Sequence, residues 1–532
     1  MKVALSWFSL CTALSLALVN FGCMKVGPDF ARPQVQSYDA WVEKEFPGVR
    51  TQLPVHNEWW EVFGDPTLDK LVRTSFEQNL PLRVAGLRVI EGRAQLGIAV
   101  GNLYPQTQTA SGSYNFEKVS HRNPNWPQPG SKTSSPDAIW QNSVAASAAW
   151  ELDFWGKYRR AIESADAAMR ASAADYDNAL VSLAGDVAQT YIALRVNEAE
   201  LEIARQNVEI ESQGLRIAEA RFRYGATSER DVQQASTFLL STQATIPVIE
   251  SNIKKQRHAL AVLLGQSPDK TPEGLDVSKG IPAPPWEIGV GVPADMLRRR
   301  PDVRAAEFAA MAQCAKIGVA KADLFPSFSL FGSIGFLASD VGAFRLSDLL
   351  TQQGFMAQFS PQVSWNLFNY GRIINNVRVQ DAKLEALLIT YQQTVLTALR
   401  EVEDALAGFI GASGQVVSLA KAAEAAKRSV DLAFIQYSEG KTDYTTVLVA
   451  QQELLKQQND LVSTQGSVAI NLILLYRALG GGWEVRQGMP YVPAEVQQEM
   501  RKRTWWGREM QEDPQKITDP AKRNLFWYAP DI

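Results

Sequence analysis

Residues 443–479 read DYTTVLVAQQELLKQQNDLVSTQGSVAINLILLYRAL, and they carry the clearest structural signal in the chain. Its large apolar residues recur at strict intervals of seven, at Val447, Leu454, Leu461, Val468 and Leu475. A seven-residue period is typical of a left-handed coiled-coil seam. The sequence therefore predicts a long helix here that packs along another helix.

The same seam occurs a second time, nearer the N-terminus. A shift of the sequence by 215 residues aligns the first seam with Val232, Leu239, Ile246, Ile253 and Leu260. The match runs without a gap from Trp150, which pairs with Trp365, to Gly265, which pairs with Gly480. Such a register predicts an internal duplication, with two copies of one structural unit.

Each copy carries a longer helical pattern before its seam. In the second copy, apolar residues between Leu384 and Phe409 alternate spacings of three and four, as in an amphipathic helix. The patterns predict long helices at about 157–223 and 371–438, followed by shorter ones at about 228–264 and 443–479. At 1.5 Å per residue each long helix spans roughly 100 Å, which a globular domain does not need.

Upstream of the long helices, each copy alternates apolar and small residues, as a β-strand does. The alternation predicts β-hairpins at about 105–155 and 326–369, with a variable loop from Asn123 to Pro136 in the first. One apolar face is typical of a transmembrane strand, but it equally fits a small soluble sheet. Because four strands cannot close a barrel, a membrane location requires several chains to share one.

The first 22 residues predict an export signal, in which Lys2 precedes an uncharged apolar run. Cys23 follows that run directly, so cleavage would place it at the N-terminus, where a lipid anchor can be attached. The alternative is a chance cysteine near an ordinary cleavage site. Cys11 lies in the signal, so Cys314 has no disulfide partner in the mature body.

Composition and motifs exclude several classes of function. The formal net charge of -4 gives no electrostatic reason to bind nucleic acid. His56, His121 and His258 are isolated, and no metal spacing or nucleophile motif occurs, which excludes enzymes and metalloproteins. The segment Glu439-Gly-Lys-Thr442 is not a phosphate loop, because Ile435 stands where that loop needs a glycine. No cofactor is expected beyond a covalent lipid on Cys23.

Five motifs, in their order along the chain, resemble those of the TolC/OprM outer-membrane factors, especially of their lipoprotein (NodT-type) branch. They are Val26-Gly-Pro-Asp-Phe30, Trp59-Trp60 with Phe63-Gly-Asp-Pro66, Trp150-Glu-Leu-Asp-Phe-Trp-Gly156, Arg299-Arg-Pro-Asp-Val-Arg304 and Leu475-Tyr-Arg-Ala-Leu-Gly-Gly-Gly-Trp483. The resemblance implies a mainly α fold with a transmembrane β-barrel. In it, a homotrimer builds a twelve-stranded barrel in outer-membrane lipid and an α-barrel in the periplasm.

The same resemblance implies an exit duct for small toxic compounds or drugs. Its partners would be a periplasmic adaptor protein and an inner-membrane RND-type transporter. It divides the chain into a signal peptide (1–22), an anchored N-terminal segment (23–79), a first repeat (80–265), an equatorial connection (266–300), a second repeat (301–482) and a C-terminal tail (483–532). A type I secretion channel and a lipid-anchored periplasmic coiled-coil scaffold are the alternatives.

In the family, the helices close the duct at their periplasmic tips, which correspond here to helix-breaking turns at Gly225 and Gly440. The resemblance implies that Asp231 at one tip bonds a tyrosine of the other helix pair. Tyr437 stands at the matching tyrosine position.

The resemblance also implies acidic side chains around the aperture. Asp231 from three chains, with Glu229 and Asp443, would make it negative, although neighbouring basic residues oppose this. Thr446 and Val449 stand where family members carry aspartates, so the second tip departs from the pattern. The alternative is that the charged groups are solvated turn residues.

Overall fold

The structure is a computed structural model. It describes residues 24–34, 40–43, 46, 48–50, 57–118, 138–270, 272, 275, 280–285, 287–340, 345–486, 488–506 and 510. Cys23, the loop from Asn123 to Pro136, and Trp527 and Tyr528 of the tail lie outside these residues.

Two units with the same order of elements follow one another. The first consists of α2 (Leu80–Gly101), β2 (Thr107–Lys118), β3 (Ala138–Leu152), α3 (Lys157–Arg223) and α4 (Glu229–Leu263). The second consists of α6 (Pro301–Ala322), β5 (Ser327–Ser339), β6 (Phe355–Ser364), α7 (Arg372–Ser438) and α8 (Tyr444–Ala478). Corresponding helices have equal lengths of 22, 67 and 35 residues, as a duplication requires.

A smaller set of elements forms a belt beside the repeats. It comprises β1 (Val49–Arg50), the 3-10 helix Trp59–Phe63, α1 (Pro66–Gln78), β4 (Ile288–Gly289), α5 (Pro293–Arg299), the 3-10 helix Glu484–Arg486 and α9 (Ala494–Arg503). A further 3-10 helix, Leu346–Asp348, lies in the connection between β5 and β6. Strands β1 and β4 pair in parallel, which joins the N-terminal segment to the connection between the repeats.

Equivalent tryptophans fix the strands to the helices in both units. Trp150 donates from Nε1 to the carbonyl oxygen of Leu103 at 3.0 Å, and Trp365 donates in the same way to Leu324 at 3.0 Å. In each case the indole joins the end of a strand to the turn that follows the first helix of its unit. The duplication read from the sequence therefore extends to individual hydrogen bonds.

The two hairpins form one four-stranded antiparallel sheet in the order β2-β3-β5-β6. The central pair joins the two repeats, with Gln141 opposite Ser339 and Leu152 opposite Phe328. Strands β2 and β6 are the edges, and within the described chain each pairs on one side only. An unpaired edge presents a row of backbone donors and acceptors to another chain.

Pro361 occupies a position of β6 whose backbone nitrogen faces away from β5. The backbone N–H of Leu337 donates to the carbonyl of Gly354 at 2.8 Å, which continues the β5–β6 register by one residue pair beyond Phe336 and Phe355. Because antiparallel pairs alternate, the N–H of Gln358 faces β5, whereas that of Ala357 and the nitrogen of Pro361 face away. A proline at this position removes no hydrogen bond from the sheet of the chain, as expected on an edge.

The long helices pack side by side in each unit and across the repeats. Helices α2 and α4 lie against α3, α6 lies between α3 and α7, and α8 packs on α7 and α3. The belt is held on this layer by stacked aromatic rings. Trp59 stacks on Tyr476 of α8 with ring centroids 5.7 Å apart, and both side chains are buried.

Helix α7 keeps an exposed apolar face along much of its length. Ile389, Leu396 and Val417 are 57%, 54% and 57% exposed, although they follow the seven-residue spacing of a helix seam. Among the described residues, α7 is also the one helix long and apolar enough to cross a membrane, by length and composition alone. No element among the described residues covers this face.

Candidate functional site

The helix tips are two equivalent turns, one between α3 and α4 and one between α7 and α8. Gly225 and Gly440 adopt φ values of 72° and 74°, which the missing Cβ permits. The following residues close each helix: Ala226 N donates to Arg221 O at 2.8 Å, and Lys441 N donates to Gln436 O at 2.9 Å. This is the hydrogen-bond pattern of a helix that ends at a left-handed glycine, so α3 and α7 end in the same way.

Asp231 is held inside its own turn. Its side chain is buried in the first turn of α4 and accepts hydrogen bonds from the hydroxyls of Thr227 and, at 3.3 Å, Ser228. The guanidinium of Arg230 lies 3.8 Å from the same carboxylate and is exposed to solvent. Asp231 therefore fixes the connection between α3 and α4.

Tyr437 is the centre of an aromatic cluster at the other tip. It is buried, its ring packs edge to face against Tyr444 with centroids 5.3 Å apart, and Arg221 of α3 lies 4.5 Å above it. Burial raises the pKa of the Tyr437 phenol, and the nearby Asp231 carboxylate adds to the rise. Because Arg221 and Tyr437 come from different repeats, this cluster joins the two helix pairs at the tip.

The expected hydrogen bond between Asp231 and Tyr437 is not formed in this structure. The Tyr437 hydroxyl lies near Thr227 without a well-formed hydrogen bond, and Asp231 accepts from Thr227 and Ser228 instead. The physical reason is that two hydroxyls of the same turn lie within reach of the carboxylate. The two residues still belong to one cluster, since the Asp231 charge acts on the Tyr437 phenol.

The remaining predicted gate residues are solvent-exposed at the two tips. Glu229, Asp443, Thr446 and Val449 are all exposed in the single chain. Asp443 caps α8, since its carboxylate accepts from the backbone N–H of Thr446 at 3.3 Å and from its hydroxyl at 3.1 Å. A capping aspartate at this position also suits the positive end of the helix dipole.

Sequence reasoning missed the role of Arg221 and Tyr444. The duplication contained a signal for the tyrosine cluster, because the 215-residue shift pairs Tyr437 with Phe222 and Tyr444 with Glu229. Phe222 is 45% exposed and Glu229 is exposed, whereas both tyrosines are buried. The two tips thus differ at the positions where one of them buries aromatic rings.

At the opposite end of the long helices, the N-terminal segment is fixed beside the strands. Val26 N donates to the carbonyl of Trp155 at 3.0 Å, between β3 and α3. Arg160 of α3 donates to the carbonyls of Val26 and Gly27, both at 3.1 Å. A Cβ on Gly27 would lie 2.4 Å from the Cα of Gly318, so the segment lies directly on α6. Residue 24, next to Cys23, therefore lies near the junction of sheet and helices.

A sheet with two open edges, mounted on helices about 100 Å long that end in closed turns, defines a class of protein. It is a channel subunit that combines an outer-membrane β-barrel with a periplasmic α-barrel. The chain belongs to the outer membrane efflux protein family, whose profile matches residues 71–266 and 292–481. The fold class and the family inferred from the sequence are confirmed, and the family places the chain in the outer membrane.

Individual relatives match over nearly their full length. The chain is 31% identical to the solvent efflux pump outer membrane protein SrpC of Pseudomonas putida over 483 residues, 88% of this chain and 98% of SrpC. It is 27% identical to the probable outer membrane lipoprotein SilC of Salmonella typhimurium over 481 residues, 88% of this chain and 98% of SilC. The solved outer-membrane channel OprN superposes with a TM-score of 0.78 at 31% identity, covering 86% of this chain and 99% of OprN.

Proposed function

We propose that three copies of this chain assemble into one continuous efflux duct. The observation that carries the proposal is the pair of unpaired sheet edges, β2 and β6. The four strands alternate in direction, so β6 of one chain and β2 of the next run antiparallel. Three copies supply twelve strands, and a closed barrel leaves no backbone edge in lipid.

The helices support the same assembly. The exposed apolar face of α7 needs a partner, and α2 and α4 at the other side of the chain expose apolar residues of their own. These are Val84 and Ile98 on α2 and Leu240 and Val248 on α4. When the strands close, α7 of one chain meets α2 and α4 of the next, which buries both faces.

Anchoring at Cys23 fits the geometry of the N-terminal segment. Residues 26 and 27 are fixed at the junction of sheet and helices, where the barrel would leave the membrane. Acyl chains on Cys23 would then enter the periplasmic leaflet beside the barrel. The likeness to SilC, named a probable lipoprotein, supports the anchor.

The duct would receive its cargo from a pump in the inner membrane. We assign the exposed tips, with Phe222 and Tyr224 at 45% and 85% exposure, to contact with a periplasmic adaptor protein. An RND-type transporter would drive the export. Small toxic or apolar compounds are the proposed cargo, because SrpC belongs to a solvent efflux pump. The tips form the gate: Asp231, Tyr437, Glu229, Asp443, Thr446 and Val449 surround the periplasmic entrance.

The test is reconstitution of the full-length protein. The purified protein is expected to migrate as a trimer that dissociates on heating and to conduct ions in a planar bilayer. Deletion of the gene for this chain should sensitise cells to apolar compounds, and expression of the wild-type chain should restore resistance. A monomer that stays soluble without detergent and does not conduct would contradict the proposal.

A further inference from the structure

A buried carboxyl group lies in α3, above the tip. Glu211 is 1% exposed and stands 12 residues before the end of the helix at Arg223, about 18 Å from the turn. Its Oε1 accepts from the hydroxyl of Thr242 on α4 at 3.0 Å, and its Oε2 has no hydrogen-bond partner. One hydroxyl is thus the whole hydrogen-bonded environment of this carboxyl in the described chain.

Among the described residues, no lysine or arginine forms an ion pair with this carboxyl. Helix α4 brings Thr242, and the titratable group that acts on Glu211 from α8 is the phenol of Tyr444. On α7, Phe434 packs against Gly214, one turn from Glu211. The charged residues nearest this level of the helices point to solvent. They are Glu209 and Arg216 on α3, Glu250 on α4, Glu453 and Lys456 on α8, and Arg428 and Asp431 on α7.

A run of buried polar groups surrounds this position. Asn207 of α3 donates to the side chain of Gln458 of α8 at 2.8 Å, which sets the antiparallel register of the two helices. One heptad nearer the tip, that register places Gln451 opposite Gly214. Gln451 is 1% exposed, and neither atom of its amide forms a hydrogen bond in the described chain. The seam above the tip is therefore weakened by polar groups that lack partners.

We propose that Glu211 is a proton-binding site that regulates the duct: with its proton bound α4 stays packed on α3, and loss of the proton favours opening of the tip. This inference rests on the proposed closure of the duct at the helix tips. A neutral carboxyl can remain in an apolar seam with one hydrogen bond. An ionised one cannot do so without a large desolvation cost, which is relieved when the helices part and water enters.

The direction of the pH effect follows from burial. Burial raises the pKa of Glu211 from its ordinary value to about 7, while the Thr242 hydroxyl opposes the rise. In an open tip, water would return the pKa to near 4.5, so the closed state binds the proton more tightly. Closure is therefore strongest below about pH 4.5 and weakens as the pH rises from there to about 7. Above about pH 7 it changes no further.

The experiment compares full-length wild type with Glu211→Gln in planar bilayers. Between about pH 5.5 and pH 8 we expect the open probability of the wild type to rise by about tenfold or more. Glu211→Gln mimics the protonated carboxyl, so it should remain closed across this range. Glu209→Gln, an exposed glutamate on the same helix, is the matched control and should behave as wild type.

A second measurement on the wild type does not depend on the variant. Hydrogen exchange of peptides that cover Glu211 and Thr242, corrected for the chemical rate, should accelerate over the same pH interval. An unchanged exchange rate, or a pH dependence that persists in Glu211→Gln, would overturn the inference while the channel function stands. Absence of conductance at every pH would instead remove the proposed function, and the inference with it.

Discussion

Arg486 donates from Nε to Oδ1 of Asp177 at 2.8 Å, although 309 residues separate them in the chain. The two side chains are 9% and 3% exposed, and Tyr491 stacks on the same guanidinium at 4.5 Å. Burial raises the pKa of Asp177 to about 6, with Arg486 opposing the rise, so the carboxylate is charged at neutral pH. This pair fixes the C-terminal part of the belt on α3.

The first prediction concerns that pair. Arg486→Met leaves a buried carboxylate without its main partner and should destabilise the fold by about 3–5 kcal/mol. The midpoint of guanidinium unfolding in detergent, followed by circular dichroism, measures the effect. Lys502→Met, which breaks an exposed pair with Glu499, is the control and should change stability by less than about 1 kcal/mol. Equal midpoints for the two variants would contradict the structural role.

The second prediction uses the edge of the sheet. Ala357→Pro removes an outward-facing N–H of β6 and leaves the β5–β6 ladder intact, as the native Pro361 does. It should reduce trimer stability through loss of about 1 kcal/mol of hydrogen bonding at each of three interfaces. Heat-dependent gel migration measures this loss.

The control for this edge is the neighbouring residue. Gln358→Pro removes a donor that faces β5, so it should damage the sheet of each chain and lower the yield of folded protein. If Ala357→Pro trimers resist heat as wild type does, β6 does not pair with another chain.

The repeats and their helices could be predicted from the sequence because their signals are local. Heptad spacing and a fixed offset give the long helices, and each predicted bound is within one residue of the structure at α3 and α7. Gly225 and Gly440 break those patterns, which fixes both turns. The periodicity does not show, however, which strands pair with each other. The β3–β5 pairing that joins the two hairpins depends on how the repeats lie in space.

The candidate site was predicted less completely for the same reason. The resemblance placed Asp231 and Tyr437 at one tip, and the structure brings them into one cluster. It did not reveal that the hydroxyls of Thr227 and Ser228 would donate to the Asp231 carboxylate. Which hydroxyl reaches that carboxylate depends on the geometry of the turn. The sequence analysis also missed the burial of Glu211, although the 215-residue shift pairs it with Ala426, which is buried as well.

The third prediction concerns the exposed face of α7. Leu396 is 54% exposed in the single chain, and closure of the trimer should bury it against the next chain. Leu396→Glu places a charge in that interface and should prevent trimer assembly, whereas Leu396→Met keeps an apolar side chain of similar volume and should assemble. Cross-linking of membranes measures assembly. Trimers of Leu396→Glu at wild-type yield would show that this face does not lie between chains.

The fourth prediction separates two accounts of the closed tip. If a hydrogen bond between Asp231 and Tyr437 closes the duct, Tyr437→Phe should raise single-channel conductance as much as Asp231→Ala does. In this structure no hydrogen bond joins the Tyr437 hydroxyl to Asp231, while the Asp231 carboxylate holds the α3–α4 turn through Thr227 and Ser228. Tyr437→Phe keeps the ring contacts with Tyr444 and Arg221 and should conduct as wild type does.

Asp231→Ala should behave differently from Tyr437→Phe. It removes the acceptor for two hydroxyls in the first turn of α4, a loss of about 0.5–2 kcal/mol at a helix N-terminus, and should loosen the tip and raise conductance. Glu229→Ala is the control, because its side chain is exposed two residues earlier in the same turn. The expected order of conductance is Asp231→Ala above Tyr437→Phe, Glu229→Ala and wild type. An increase in Tyr437→Phe equal to that in Asp231→Ala would instead establish the direct bond, because only the phenolic oxygen is lost there.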